Sequence, residues 1–195
     1  MKNNENDEGK KDTTMTIWQI QTKNFSIIRR LAFLAAGVAA FLLAYLVGSS
    51  AVGLSEDEAN LIVDDFVERV QGIEGEGIFS NNAVIGLGMF IPAAGAGIGV
   101  YSAYSTGIVF NAFAQVTPAL SGVSPLSVFA TPFAILELFA YGLAISRSGM
   151  LVYDLAKRKS WKQYLPVTGI EIAIVIVALL IGAAIESLAL TQATE

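Results

Sequence analysis

Residues 78–116 run for 39 positions without one charged side chain. That is about twice the ~20 residues an α-helix needs to cross the hydrocarbon core of a bilayer. Further apolar runs cover 31–52, 125–148 and 166–187. Each of these is long enough for one crossing. The composition agrees, with 54% hydrophobic residues, 15% charged ones and a mean hydropathy of +0.59, which is the balance of a membrane protein. The expected fold class is all-α integral membrane.

The charges outside the runs give the chain its expected order. Residues 1–24 are rich in Asn, Lys, Glu, Asp and Thr and carry too little apolar surface to offset the entropy of ordering them, so a disordered cytosolic tail is predicted. Arg29 and Arg30 precede the first run, which reads as a retained signal anchor because a cleavable signal has a shorter apolar region nearer the N-terminus. After the run, Leu54, Leu61, Ile62, Phe66, Val70 and Ile73 recur at helical spacing, with Glu56, Asp57, Asp64, Asp65 and Glu68 between them. This predicts an amphipathic helix at 55–71. Ser55 and Glu58 form a capping box at its start, and Gly72, Gly75 and Gly77 break it.

Basic residues orient the rest. By the positive-inside rule Arg29, Arg30, Lys157, Arg158, Lys159 and Lys162 all belong in the cytoplasm, which requires an even number of crossings between the two groups. One helix at 31–52 and one at 125–148 leave two for the 78–116 region, with a turn near 99–105. The prediction is about five transmembrane helices, approximately 31–52, 80–98, 101–116, 125–148 and 166–187. They form a single membrane domain over 25–187, with the amphipathic helix extracytoplasmic. The N-terminus is cytoplasmic, the C-terminus extracytoplasmic, and 188–195 a flexible end, in a multi-pass protein of the cell membrane.

One carboxylate interrupts the apolar text. In TPFAILELFAYG, residues 131–142, Glu137 stands alone. With the crossing starting near Leu126 it falls around the midpoint, where a charge costs about 2.5–3.5 kcal/mol on insertion scales. Its helical face carries Ala130, Ala134, Tyr141, Ala144 and Ser148, and small faces let another helix approach closely. Glu137 is therefore expected to point into the bundle. The polar residues available to meet it are Asn81 and Asn82 opening the second helix, Ser102, Tyr104, Ser105, Thr106 and Asn111 in the third, and Glu171 in the fifth. No Lys or Arg is expected deep enough to neutralise it, so the expectation is a neutral acid hydrogen-bonded to amides of the second or third helix.

The segments IFSNNAVIGLGMF (78–90), STGIVFNAF (105–113) and TPFAILELFAYGLAISRSGM (131–150) resemble the stage II sporulation protein M family. Its members look alike in an Asn-Asn pair opening a helix, an Asn-Gly in the next helix, and a Pro-His-Gly-x-x-Glu motif before a small-residue run. The matching positions are Asn81, Asn82, Gly107, Pro132, Glu137, Leu138 and Ala140. Phe133 replaces the motif's His, Ala134 its Gly, and Thr106 the Asn of Asn-Gly, so no role resting on that His carries over. The resemblance, covering roughly 25–187, implies an integral membrane anchor within a complex and not a hydrolase.

Each feature also has a plain reading. The string GAGIGV lacks the third glycine of a dinucleotide loop, and close helix packing explains its glycines. Asn81 and Asn82 read equally as N-caps. Lys157, Arg158, Lys159 and Lys162, interleaved with Trp161 and Tyr164, read as an interfacial anchor that would also attract anionic lipid. Glu171 and Glu186, near the ends of their helix, can reach interfacial water. Cysteine and histidine are absent, which removes disulfides, thiol nucleophiles and the usual zinc sites. A formal charge of −5 argues against nucleic acid. No nucleophile elbow or metal cluster is present, so the chain is not expected to be an enzyme and no cofactor or metal is expected. The expected partners are the lipid bilayer and other membrane or extracytoplasmic proteins, with self-association left open. The leading expectation is a non-catalytic membrane scaffold. A transport component with a polar path around Glu137, and an accessory subunit of a larger membrane enzyme complex, stand as alternatives.

Overall fold

The computed structural model describes residues 27–50, 53–71 and 75–194. The expected cytosolic tail, 1–24, and the last residue of the expected flexible end lie outside them. The regular structure of the described residues is all helical, without a strand. Six α-helices follow one another: α1 (Ile27–Ser49), α2 (Glu56–Val70), α3 (Gly75–Gly88), α4 (Ala94–Val116), α5 (Pro132–Ala156) and α6 (Leu165–Thr194). Short 3₁₀ turns at Pro118–Leu120, Pro125–Ala130 and Trp161–Tyr164 join the later ones. The chain divides into two units, Met1–Ala32 and Phe33–Glu195. What is described of the first is the opening of α1, where Arg29 and Arg30 sit.

Among the described residues three helices are long and apolar enough to cross a membrane: Ile27–Ser49, Pro132–Ala156 and Lys162–Ala189. At 1.5 Å per residue the 14 residues of α3 reach only about 21 Å. The 23 residues of α4 are long enough, but hydroxyls, amides and glycines dilute their hydropathy.

Local chemistry explains where the boundaries depart from the sequence expectation. The turn between the third and fourth helices falls at 89–93, not at 99–105. Pro92 has no N–H to donate, and Ala93 adopts φ 66°, a left-handed conformation that ends helical propagation. The string AAGAGIG instead enters α4. There Gly95 and Gly99 are buried, and a Cβ on Gly95 would run into the carbonyl of Met89. The 125–130 stretch, expected to begin a crossing, is 3₁₀. The helix proper begins at Pro132, with the Thr131 hydroxyl accepting from the Ala134 N–H, because proline suits a first helical position and disfavours helix in the residue before it. At the far end α6 continues to Thr194, through positions expected to be flexible.

The core of the Phe33–Glu195 unit is built on α5. It packs most extensively on α6, which also receives α3, while α4 lies against α2 and α5. Phe41, Tyr45, Met89, Tyr141, Leu143, Ile145, Val175 and Leu179 form its buried centre. Close approach through small residues seats α1. A Cβ on Gly37 would stand 2.6 Å from the carbonyl of Gly142, and one on Gly107 would strike the carbonyl of Tyr45. Neither glycine tolerates a side chain without moving a helix. The Ser55–Glu58 capping box is formed at the start of α2, and Phe66 meets Phe113 of α4 edge-on at 5.6 Å.

Candidate functional site

Two polar sites lie on the α5–α6 pair, one toward each end. The first contains Glu137. Because α5 starts at Pro132, Glu137 is five residues in, about 7.5 Å along the axis, and not at the midpoint. Asn82 of α3 donates its Nδ2 to Glu137 Oε1 at 2.5 Å, and Asn81 donates to Asn82 Oδ1 at 3.2 Å. Neither asparagine caps a helix, since α3 already begins at Gly75; both lie in its second turn and act through their side chains. On the α6 side, Gly182 leaves room for the Glu137 stem, 3.8 Å from where its Cβ would be. Glu186, further along α6, is close enough to interact electrostatically with both Glu137 and Tyr141. Glu137 is therefore not a solitary carboxylate.

The second site holds residues whose role the sequence reading missed. Arg147 and Glu171 form a two-pronged ion pair: Arg147 Nε meets Glu171 Oε2 and its Nη2 meets Oε1, each at 2.6 Å. The side chains are 2% and 8% exposed. This corrects the expectation that Glu171 reaches interfacial water; Arg147 lies against Glu171 and not against Glu137. Arg147 lies fifteen residues into α5, about 22 Å from its start and about 13 Å from its end, closer to the middle of the helix than Glu137. The planar guanidinium suits the pairing, since its fork matches both carboxylate oxygens at once. Two serines flank the arginine: Ser146 Oγ donates to the Leu143 carbonyl at 2.7 Å, and Ser148 Oγ donates to the Ile91 carbonyl at 2.8 Å. That second bond satisfies part of the non-helical backbone at 89–93.

The other expected residues are dispersed. Asn111 accepts from Gln115 Nε2 at 3.3 Å along its own helix and does not join Glu137. Gly107 is a packing position against α1, and Pro132 is the first residue of α5. Thr106 donates back to the Ser102 carbonyl. The basic anchor is exposed in the α5–α6 connection. Lys157 Nζ stands 5.7 Å over the Tyr153 ring, and Lys159 pairs at 3.5 Å with the buried Asp154. Arg158 turns the chain with φ 55°, and Lys162 lies in the following 3₁₀ turn.

Electrostatics outside the spans are simple. Glu58 is held below the usual carboxylate range, first by the hydrogen bond from the Ser55 backbone N–H at 2.9 Å and then by that from its hydroxyl at 2.8 Å. No group of three or more metal-ligating side chains occurs among the described residues. Among the described residues, fold and sites together define an all-helical architecture with three helices long and apolar enough to span a membrane. No family model, curated protein or solved structure matches the chain.

Proposed function

We propose that the chain is a non-catalytic polytopic scaffold of the cell membrane, similar to the stage II sporulation protein M family, that recruits other membrane or extracytoplasmic proteins. The observation that carries this reading is the Arg147–Glu171 pair. Ionisable groups that serve transport face a water-filled path. Here arginine and glutamate satisfy each other at 2% and 8% exposure. Neither the cavity of about 680 Å³ nor that of about 400 Å³ is lined by Arg147, Glu171, Glu137 or Asn82. A dry, geometrically matched pair fixes one helix register at some cost in stability, which suits a rigid platform. The docking face would be α2, whose acids stand exposed beside Leu61 at 68% exposure. The proximity of Glu186 to Glu137 is the feature that favours the transport reading.

In the orientation we propose, the N-terminus and the Lys157–Lys162 connection are cytoplasmic, and α2 and the C-terminus extracytoplasmic. The sequence count of five crossings takes α3 and α4 as two of them. The turn at 89–93 packs at the level of Ile145 and Ser148, about 12 Å short of the α5 C-terminus. This supports a re-entrant pair that enters and leaves by the extracytoplasmic face, beside three full crossings. Both counts are even between the basic groups, so the sidedness is the same.

Purification in mild detergent with identification of co-eluting proteins tests the function. The scaffold predicts specific partners that are lost when Asp64, Asp65 and Glu68 are changed together to Lys, and a chain that elutes alone as a monomer counts against it. Because the chain lacks cysteine, single replacements test topology without background. Ile91→Cys should resist impermeant maleimide from both sides if the pair is re-entrant, and label from the cytoplasm if it crosses.

A further inference from the structure

A long groove on the other flank of the bundle takes no part in either polar site. It has a volume of about 680 Å³ and follows α4 from Ile98 to Phe113, closed by Tyr45 of α1, Ile85 of α3, Phe66 of α2, and Leu120 and Val128 of the connection. Fifteen residues of helix are about 22 Å, so the groove is long and narrow, the shape of one extended hydrocarbon chain lying along α4. The volume lies within the roughly 300–1,000 Å³ range of small-molecule sites. Two of the polar lining groups are already satisfied elsewhere, Tyr45 Oη donating to the Pro125 carbonyl at 3.0 Å and Thr106 to the Ser102 carbonyl at 2.9 Å. What remains toward the groove is mostly hydrocarbon.

The ends of the groove differ. At its Phe113 end one wall is Phe66 of α2, in edge-on contact with Phe113. Phe66 belongs to a helix with six acidic residues and one basic one, and that one, Arg69, is paired with Asp65 at 2.8 Å. Asp64, Asp65 and Glu68, on the same turns as Phe66, are exposed. A headgroup emerging there meets negative potential within a Debye length. An anionic phospholipid is repelled, and an amine is attracted.

We propose that this groove is a lipid site, holding one hydrocarbon chain of a membrane phospholipid along α4, with the headgroup at α2 and a preference for headgroups that expose an amine over anionic ones. The site is independent of the scaffold reading, since a chain that recruits no partner could still bind lipid. The test uses the full chain in nanodiscs containing phosphatidylethanolamine or phosphatidylglycerol with a photoactivatable group in one acyl chain. Labelled peptides are then mapped by mass spectrometry. The expected result is labelling within 98–113 and at the Phe66 peptide, about fivefold stronger for the ethanolamine lipid. Changing Asp64 and Asp65 to Asn and Glu68 to Gln together should equalise the two lipids. Val109→Trp or Ser105→Leu, which fill the groove, should reduce labelling of these peptides about tenfold for both lipids, with helix content and thermal midpoint checked on the same samples. Labelling of the native chain spread evenly over all lipid-facing helices overturns the site, as does undiminished labelling in a folded groove-filled variant. Equal labelling of the native chain by the two lipids overturns the headgroup preference.

Discussion

Glu137 and Glu171 are both glutamates on apolar helices, and they have been given opposite settings. Glu171 has a full counter-charge in Arg147, two matched 2.6 Å contacts and a dry surround. Glu137, close to the start of α5, has one amide donor from Asn82 and a second carboxylate, Glu186, within electrostatic reach. The difference follows what packs against each: Glu171 meets the buried Arg147 of α5 and is fully paired by it, while Glu137 meets only the neutral amide of Asn82. The first is a lock, and the second is an adjustable contact.

Breaking the lock should have the largest effect. Arg147→Ala or Glu171→Ala alone leaves an uncompensated buried charge and should cost about 3–5 kcal/mol, read as thermal or denaturant unfolding of the purified chain. Replacing the pair with Arg147→Met and Glu171→Leu should recover most of that loss. A double variant as unstable as either single one would show that the pair does more than compensate itself.

The contact at Glu137 should be weaker by a factor of a few. Glu137→Ala and Asn82→Leu should each cost about 1–2 kcal/mol, the scale of one hydrogen bond between membrane helices. Glu137→Gln keeps an acceptor for Asn82 and should stay near native. Equal losses for Gln and Ala would mean that Glu137 works through its charge, and the contrast with Glu171 would collapse.

A third carboxylate shows the same chemistry in water. Asp65 and Arg69 pair across one turn of α2 with side chains 74% and 60% exposed (acid 60%, base 74%). A double-mutant cycle should give about 0.3–0.5 kcal/mol, abolished by 1 M salt, where the Debye length is about 3 Å. The Arg147–Glu171 coupling should persist in the same salt.

The smallest effect concerns Glu58. Its hydrogen bonds from Ser55 lower its folded-state value, so its support for α2 is complete above the unfolded value of about 4.3 and fades as the pH falls through the folded one. Circular dichroism across that acid range should register a small loss of helix that Ser55→Ala shows already at neutral pH.

How far the sequence could be read depended on the range of the interaction. The Ser55–Glu58 cap was legible because both partners lie within three residues. The existence of helices at the apolar runs was legible because bilayer length and backbone satisfaction act within one segment. Arg147 was missed because hydropathy ended the run at Ser148 and began it at Leu126, so the arginine fell at an apparent end. The Thr131-Pro132 pair was the available signal: a hydroxyl cap before a proline at the first helical position marks the true start, and counting from there carries Arg147 well inside the helix.

By itself, then, the sequence determined that this is a helical membrane-type chain, with one capped acidic helix and a basic connection after the Pro132–Ala156 helix, since composition, period and charge are local quantities. Only the tertiary structure decided which polar residues meet: Arg147 with Glu171 across 24 positions and Asn82 with Glu137 across 55. Those pairings depend on how α3, α5 and α6 pack face to face, which no periodicity within a single helix encodes.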